Sequence, residues 1–406
     1  MAQNTLDELF SHRLNPYPFF RQMREERPFS RVNWAGREMW LATTYEDTSA
    51  ILKDPRFTMD LQKVAVMMSE QGGRKEAPLR YVPLAAWPHL LNTDPPEHTR
   101  LRNLVSKAFT PRMIEQLKPR ISQVTDELIT AVQDKGQMDL IADFTFPLPI
   151  TIILDMLGIP VADRQQFRTW TQAIVQSQGD VEIDKIEAGR TAEKEFIDYI
   201  KMLLATKHAH RDDDLTSRLI QASEQGDTLS EEEIISMVLL LITAGHETTV
   251  HLIDNGMLAL LMHPEQMQLL RDDPSLLVAA VEELLRYVAP VSLSAPRWAC
   301  EDISIHGHVV RKGEMVRCAL LGADTDPQQF SDPEYLDILR QEKQHLSFGK
   351  GIHFCLGAPL ARLEGQIAIE ALLKRLPNLQ LACAPEQLVW QNAGSLRVLA
   401  ALPLKF

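Results

Sequence analysis

Cysteine is scarce in this chain of 406 residues, which has four: Cys300, Cys318, Cys355 and Cys383. A structural zinc site needs about four ligands and usually shows cysteines paired at C-x₂₋₄-C spacing, and the sequence has no such pair. Four scattered cysteines in a chain of this length also do not make a disulfide framework. The sequence therefore excludes a zinc ribbon and a disulfide-rich scaffold, and it favours a reducing compartment.

Basic residues, long apolar runs and linkers are also in short supply. The chain has 42 lysine and arginine residues against 55 acidic ones, a net charge of -13, which argues against non-specific binding of nucleic acid. No basic segment followed by an apolar one opens the sequence, and no run approaches the ~18 consecutive apolar residues of a membrane span. The composition is 45% hydrophobic and 24% charged, without a repeat or a Gly/Ser linker. We therefore expect a cytoplasmic globular protein with one domain over residues 1–406 and no membrane or nucleic-acid partner.

Hydrophobic periodicity predicts a mainly α-helical fold, with about a dozen helices and small peripheral β-sheets. The predicted helices begin near Pro16, Thr44, Pro95, Pro111, Pro147, Glu231, Pro264, Leu276 and Pro359. The predicted strands lie near residues 38–42, 297–300, 314–318 and 396–402. Segment 57–90 contains paired glycines and several prolines, so we predict an irregular connection longer than the usual ~4–6 residues. Such a segment is often functional, although a variable surface loop is the alternative.

Residues 348–357, Phe-Gly-Lys-Gly-Ile-His-Phe-Cys-Leu-Gly, frame a single cysteine with glycines. Gly349, Gly351 and Gly357 allow tight turns and a close approach of the backbone to a flat ligand. One thiolate, that of Cys355, is enough for the axial position of haem iron. The segment resembles the haem-ligand loop of the cytochrome P450 family, whose pattern F-x-x-G-x-H/R-x-C-x-G matches at every fixed position, Phe348 included.

A long helix is predicted over residues 231–262. Ser230 and Glu233 form a capping box at its start, Pro264 ends it, and at 1.5 Å per residue it is ~48 Å long. Residues 234–242 are almost wholly apolar, which predicts burial, yet the polar segment 244–249 follows them directly. A glycine in mid-helix costs about 1 kcal/mol and a buried unpaired polar group costs more, so this segment is a candidate functional site.

The segment 244–249 also resembles a family motif, A/G-G-x-D/E-T. The resemblance implies that Ala244 and Gly245 leave room for O₂ beside the haem, that Thr248 hydrogen-bonds the oxygen, and that Glu247 relays protons. From the residues alone, Thr248 could instead bond back to a carbonyl one turn earlier, and Glu247 could pair with His251. The motif leaves position 246 open, so His246 is expected to face away, and Val250 excludes an H-E-x-x-H zinc site.

His98 and Arg102 are four residues apart on a predicted helix, so both side chains should share one face and form a cationic pair. Arg297 offers a guanidinium suited to binding a carboxylate, and His353 lies inside the cysteine loop. The resemblance implies that these four residues bind the propionates of haem b, whose iron takes the thiolate of Cys355. Taken singly, each would more often be an ordinary surface residue.

Glu283 and Arg286 are three residues apart on another predicted helix and can form an ion pair. Such pairs are common on exposed helices, but the resemblance implies a buried E-x-x-R pair that stabilises the core around the haem and has no catalytic role. Residues 324–327 read Asp-Thr-Asp-Pro where many bacterial relatives have Asn-Arg-Asp nearby. The third partner of the pair is therefore left open.

With four motifs in order over nearly the whole chain, the resemblance implies a haem-thiolate monooxygenase. It would insert one atom of O₂ into a small hydrophobic molecule such as a terpenoid, steroid, fatty acid or polyketide. No flavin or iron–sulfur motif is left over, so two electrons would come from a ferredoxin or flavodoxin with an NAD(P)H-dependent reductase. The alternatives are a haem sensor or carrier without turnover, and a related enzyme with coupling or isomerase chemistry.

The resemblance also implies that segment 57–90 forms a lid over the substrate and that the protein is a monomer. The candidate substrate-pocket residues are apolar or small: Leu90, Leu240, Ala244, Val291, Leu293 and Leu396. A second set of residues is basic and lies on or near the helix and loop behind the cysteine: Lys107, Arg112, Lys343, Lys350 and Arg362. These could steer an acidic electron donor, or they could be part of a solvated mixed surface.

Overall fold

The structure, a computed structural model, describes residues 15–34, 37–70, 87–177, 183–224 and 229–406. In these ranges the α-helices are α1 (Tyr17–Glu26), α2 (Tyr45–Ile51), α3 (Leu61–Glu70), α4 (Glu97–Ala108), α5 (Pro111–Gln133), α6 (Pro147–Met156), α7 (Arg164–Gln176), α8 (Ile183–Ala209), α9 (Leu215–Glu224), α10 (Glu231–Met262), α11 (Pro264–Asp272), α12 (Leu277–Val288), α13 (Leu320–Asp324) and α14 (Ala358–Arg375). The strands are β1 (Phe29–Trp34), β2 (Arg37–Ala42), β3 (Phe57–Thr58), β4 (Gln137–Asp139), β5 (Arg297–Ala299), β6 (Ile303–Ile305), β7 (His308–Val310), β8 (Met315–Cys318), β9 (Gln380–Leu381), β10 (Trp390–Ala393), β11 (Leu396–Leu399) and β12 (Pro403–Lys405). The mainly α class is confirmed.

The first of two compact units consists of Met1–Thr58, Ser122–Phe146 and Thr248–Phe406. Its described residues contain a five-stranded sheet in the order β1-β2-β8-β5-β3, in which β2 and β8 are parallel and the other neighbours antiparallel. Apolar side chains from these strands and from α2 form a buried core on one face of the sheet. Smaller sheets pair β10 with β11, β6 with β7, and β12 with β4 and β9.

The second unit consists of Met59–Ile121 and Pro147–Glu247, and its described residues are mainly helical. Aromatic rings hold α7 against α8: the centre of the Phe167 ring lies 5.1 Å from that of Phe196 and 4.9 Å from that of Tyr199, both edge to face. The helices α5 and α10 each continue from the second unit into the first. The prediction of one domain over the whole chain stays a prediction.

The predicted helix starts agree with the structure to within two residues, and each of the four predicted strands is present. The prediction that segment 57–90 is irregular throughout is wrong, because it begins with β3 and α3. Val64 and Met67, three residues apart on α3, are both buried, and this apolar face stabilises a helix ahead of the glycines. Residues 71–86 of the proposed lid lie outside the described residues.

The long helix α10 has the predicted bounds, Glu231–Met262. The backbone N–H of Ser230 donates to Glu233 Oε2 at 2.8 Å, and the N–H of Glu233 donates to Ser230 Oγ at 3.1 Å, which confirms the capping box. Arg100 of α4 forms an ion pair with the same Glu233. By length and composition α10 could cross a membrane, but 61% of its most apolar window is buried, as in the core helix of a globular protein.

Candidate active site

The cysteine loop follows a turn in which two glycines adopt left-handed backbone conformations, with φ of 70° at Gly349 and 76° at Gly351. The Gly349 N–H donates to Leu346 O at 2.7 Å, and the Cys355 N–H donates to Phe348 O at 3.0 Å. The loop is thus closed by its own backbone, which leaves the Cys355 side chain in a fixed position.

Crowding requires a glycine at position 351 of the loop. A Cβ at Gly351 would lie 2.8 Å from Leu52 O, closer than real Cβ contacts allow. A Cβ at Gly357 would lie 3.9 Å from Cys355 Sγ, which is an ordinary contact. Gly351 therefore lets the loop pack closely, whereas crowding does not require the glycine at position 357.

Exposure separates Cys355 from Cys318. Cys318 is completely buried, and burial raises the pKa of its thiol to about 11, so it is an inert core residue. Cys355 is partly exposed in its glycine-bounded loop. The described residues contain no cluster of three or more His, Cys, Asp or Glu side chains that could hold a metal ion. A single protein ligand for haem iron fits these observations, and a multi-ligand site does not.

Two of the four candidate propionate ligands, His98 and Arg102, lie on α4 in the second unit. Burial and the nearby charge of Arg102 lower the pKa of His98, against the opposing effect of Asp94. The lowered pKa of His98 makes Arg102 the main carrier of positive charge in this pair, and the binding of propionates by the two residues stays a prediction.

The other two candidate ligands, Arg297 and His353, belong to the first unit. Arg297 is buried on β5, with Nη1 3.4 Å from Ala295 O, and His353 ends the short 3₁₀ helix that precedes Cys355. A buried guanidinium on a strand and a histidine inside the loop are both held by rigid backbone. Each is suited to donating hydrogen bonds to a carboxylate.

One stripe of α10 is open in the middle of the helix, between the buried segments 233–240 and 249–260. Ala244 is exposed, and Leu241, Gly245 and Thr248 are partly exposed, whereas His246 between them is buried. The spacing of the stripe, i, i+3, i+4 and i+7, is that of a single helix face. Ala244, Gly245 and Thr248 were predicted as site residues. Leu241 was not predicted, whereas its neighbour Leu240, which is 9% exposed, was.

Glu247 is partly exposed, and the structure gives His251 a partner on its own helix, Asp254 Oδ2 at 3.0 Å from its Nδ1. A Cβ on Gly245 would lie 3.6 Å from Ile153 Cδ1, an ordinary contact, so this glycine is not required by crowding on that side. The packing of α10 against α6 therefore does not explain the glycine at position 245, whereas the open stripe does.

A buried carboxyl group next to the stripe was missed by the sequence reasoning. Glu364 of α14 is 1% exposed, and the hydroxyl of Thr249, which is also buried, hydrogen-bonds to it. Burial raises the pKa of Glu364 to about 8, although the hydrogen bond from Thr249 opposes the shift. The carboxyl group of Glu364 is therefore protonated at neutral pH, and it lies next to Thr249, the residue that follows Thr248. Its only sequence signal is a lone glutamate on a buried helix face.

The predicted ion pair between Glu283 and Arg286 is present and buried. Arg286 donates from Nε and Nη2 to the two carboxylate oxygens at 2.7 and 2.8 Å. The missing third partner is Arg340, whose Nε lies 3.2 Å from both oxygens. Asp324 Oδ1 accepts from the Leu346 N–H at 2.6 Å, so the residue that replaces an asparagine still holds the segment ahead of the cysteine loop.

Glu282, the neighbour of Glu283, connects α12 to α14. Arg362 donates to its two oxygens at 2.6 and 2.8 Å, and His345 Nε2 lies 3.3 Å away. Burial raises the pKa of Glu282, but the hydrogen bonds from Arg362 and His345 outweigh it and lower the pKa to about 2. The guanidinium of Arg362 also lies 4.6 Å from the centre of the Phe348 ring. Arg362, predicted as part of a docking surface, is therefore already engaged in structure.

Three of the candidate pocket residues lie together in the first unit. Val291 and Leu396 form an isolated antiparallel bridge, and Leu293 forms another with Ala319. Leu293 is completely buried, and the other two are partly exposed. Leu90, in the second unit, is 6% exposed. The first bridge holds the segment after α12 beside the turn between β10 and β11, and the second holds it beside the end of β8.

Comparison with known proteins agrees with this geometry. A family model described as Cytochrome P450 matches residues 9–379. Cytochrome P450 CYP107DY1 of Priestia megaterium is 51% identical over 400 residues, 96% of this chain and 95% of the relative. The vitamin D(3) 25-hydroxylase of Pseudonocardia autotrophica is 39% identical over 391 residues, 96% of this chain and 93% of the relative.

A solved structure is similar over almost the whole chain. The crystal structure of the myxobacterial cytochrome P450 CYP267B1, in complex with myristic acid, has a TM-score of 0.90 and 43% identity, with 98% of each chain covered. Family members are haem-thiolate proteins in which a cysteine is the axial ligand of the iron, and they act on small hydrophobic substrates with electrons supplied from outside. The chain therefore belongs to the cytochrome P450 family and has its fold and its monooxygenase activity.

Proposed function

We propose that this monooxygenase hydroxylates or epoxidises a hydrophobic small molecule that binds beside the open stripe of α10. The single observation that carries the proposal is this stripe, Leu241 to Thr248, because small and apolar side chains are open there between the buried segments 233–240 and 249–260 of the helix. A 25-hydroxylase of vitamin D(3) and a myristate complex among the relatives support a lipid-like molecule, such as a terpenoid, steroid, fatty acid or polyketide.

In the proposed site, Cys355 is the axial ligand of haem b, and His98, Arg102, Arg297 and His353 bind its propionates. The haem, when bound, supplies the chemistry of O₂ activation and substrate oxidation. The protein's part is to present the thiolate from a closed loop and to neutralise the carboxylates. Cys318 is completely buried and therefore cannot take the place of Cys355 as the ligand.

The proton supply is assigned to three side chains. Thr248 donates a hydrogen bond toward the O₂ site from the open stripe, and Glu247 exchanges protons with solvent through its partly exposed carboxylate. Glu364 holds a proton at neutral pH and is hydrogen-bonded to Thr249, so it is a second store that is one residue removed from Thr248. Glu247 is partly exposed to solvent, whereas Glu364 is buried and keeps its proton at pH 7.

The electrons are proposed to come from a ferredoxin or flavodoxin with an NAD(P)H-dependent reductase, and the enzyme is proposed to work as a cytoplasmic monomer. Two of the five basic residues suggested for docking have partners already, since Arg362 binds Glu282 and Lys350 Nζ lies 3.0 Å from Ser49 Oγ. Lys107, Arg112 and Lys343 are exposed and remain candidates for an electrostatic contact with an acidic donor.

The test replaces Thr248 by alanine and measures product formed per NAD(P)H oxidised, with a screened substrate that shifts the haem spin state. Thr243→Ala is the matched control, because the Thr243 hydroxyl bonds back to Leu239 O at 2.8 Å within the helix. We expect uncoupling, with NAD(P)H still consumed and product reduced about tenfold or more, in Thr248→Ala only. Equal coupling in both variants would contradict the assigned role, and no NAD(P)H consumption in wild type would favour a haem sensor.

A further inference from the structure

Arg317 is a buried cation on β8 that none of the roles above uses. It is 2% exposed. Its neighbours Val316 and Cys318 point into the core of the five-stranded sheet. Because side chains alternate along a strand, Arg317 lies on the opposite face of the sheet.

Every partner of this guanidinium is neutral. Nε and Nη2 donate to Ser294 O at 2.8 and 2.6 Å, and Nη2 also hydrogen-bonds to Ser395 Oγ and lies 3.5 Å from Leu293 O. The Cζ atom lies 4.6 Å from the centre of the Trp34 ring. Over the part of the chain that the structure describes, Nη1 takes part in no hydrogen bond and the guanidinium in no ion pair.

Two other buried arginines show the usual pairing with a carboxylate. Arg286 and Arg340, both buried, share the carboxylate of Glu283. Burial lowers the pKa of Arg317 to about 10, so it keeps its charge at neutral pH. Taking an unpaired charge out of water costs several kcal/mol, and buried charges are normally paired or bound to a ligand. The site is therefore electrostatically incomplete without an anion.

The neighbours of Arg317 place this charge at the edge of the candidate substrate pocket. Ser294 and Leu293 belong to the segment that bridges to Leu396 through Val291, and Ser395 directly precedes Leu396. The Ser292 N–H donates to Ser395 O at 2.8 Å, which joins the two segments. Trp34 lies beside the turn that carries Ser395, since a Cβ at Gly394 would be 4.0 Å from its Cζ2.

We propose that Arg317 binds the carboxylate of an amphipathic substrate, so that the enzyme prefers a hydrophobic acid to the neutral molecule of the same length. This inference rests on the proposed function and deepens it by naming the polar group of the substrate. Nη1 is the donor that the protein leaves for the ligand, and Nε and Nη2 hold the guanidinium in place. The apolar part of the acid then extends along Val291 and Leu396.

The test titrates haem-loaded enzyme with myristic acid and with tetradecan-1-ol, following the spin-state shift and the heat of binding at one pH near 7.5. Wild type is compared with Arg317→Met and Arg317→Lys. Arg31→Met is the matched control, because Arg31 lies on the same sheet but is exposed and paired with Glu314 and Glu38. We expect wild type and Arg31→Met to bind the acid about tenfold or more tightly than the alcohol.

Arg317→Met is expected to lose this preference while binding the alcohol as wild type does, and Arg317→Lys to keep part of it. A purely structural clamp predicts instead that both ligands weaken together, and this outcome overturns the proposal. If Arg317→Met does not fold, the affinities of the wild-type enzyme for the acid and the alcohol decide the question. Equal affinities for the two ligands, or no binding of the acid, overturn the proposal. Failure of the proposed function is distinct, since it shows as a missing thiolate-type carbon monoxide spectrum or as no turnover of any ligand.

Discussion

Arg340 Nε lies 3.2 Å from both carboxylate oxygens of Glu283, although the two residues are 57 positions apart in the chain. Arg286 binds the same two oxygens from within α12, so one buried carboxylate is shared by two buried guanidinium groups. Arg286 Nη1 also donates to Asp324 O at 2.8 Å and to Pro333 O at 2.7 Å. The cluster joins α12 to the segment that leads to the cysteine loop.

Glu283→Gln is expected to destabilise the protein by about 3–5 kcal/mol, because it leaves two buried arginines without a counter-charge. The free energy of unfolding, from denaturant titration of the haem-loaded protein, measures the effect. Glu97→Gln is the control, since Glu97 is 60% exposed in its pair with Arg100 and should change stability by less than about 1 kcal/mol. Equal effects of the two substitutions would show that the cluster does not stabilise the fold.

The pH dependence of stability should carry a contribution from Glu364. Its pKa is about 8 in the folded protein and near the ordinary 4.5 in the unfolded chain. Between these values the unfolded state releases a proton that the folded state keeps, so stability falls as pH rises, by up to about 1.4 kcal/mol per pH unit. The contribution is complete below about pH 4.5 and is lost once the pH passes about 8.

Glu364→Gln should remove this slope, and denaturant titrations at several pH values between about 5 and 8 measure the difference from wild type. Glu370→Gln, at an exposed position of the same helix, is the control and should keep the wild-type slope. Parallel profiles for wild type and Glu364→Gln would mean that Glu364 is already ionised at neutral pH.

Cys355→His should change the haem ligand without removing the fold. Reduced wild-type protein with carbon monoxide is expected to show the strongly red-shifted Soret band of a thiolate ligand, and the variant to show an imidazole-type spectrum. Cys383→Ser, at another partly exposed cysteine, should keep the wild-type spectrum. A red-shifted band in Cys355→His would assign the thiolate to another cysteine.

Arg112→Glu should slow reduction by an acidic ferredoxin, and added salt should reduce the difference from wild type, since an exposed charge contributes mainly to association rate. Stopped-flow reduction at low and high ionic strength measures it. Lys201→Glu, the same charge change at an exposed position of α8, serves as the control. If both variants slow reduction equally, only the net charge of the protein matters.

Elements with a strong local signal were predictable from the sequence. The capping box of Ser230 and Glu233 gave the start of α10, and Pro264 gave its end, because both act through neighbouring backbone groups. The glycines around Cys355 gave the loop for the same reason. Helix α3 was missed because paired glycines and prolines a few residues later dominated the interpretation of the whole segment.

Residues whose roles depend on distant partners could not be predicted. Arg340 meets Glu283 only through the tertiary fold, and Glu364 meets Thr249 from another helix. Arg317 stands in a short strand between apolar residues, and a strand pattern does not reveal whether an arginine finds a carboxylate. Burial and pairing are properties of the folded chain, so the roles of these three residues follow only from the tertiary structure.

The cap at Ser230 also determines which side chains the middle of α10 presents. Each residue turns an α-helix by about 100°, so the direction of Thr248 depends on how many residues separate it from the cap. One inserted residue between Glu233 and Ala244 would leave the cap intact and bring Glu247 into the angular position of Thr248. Exchanges among the buried leucines, isoleucines and methionine of that stretch would not have this effect. The number of residues in this part of the helix is therefore under a stricter constraint than their identity.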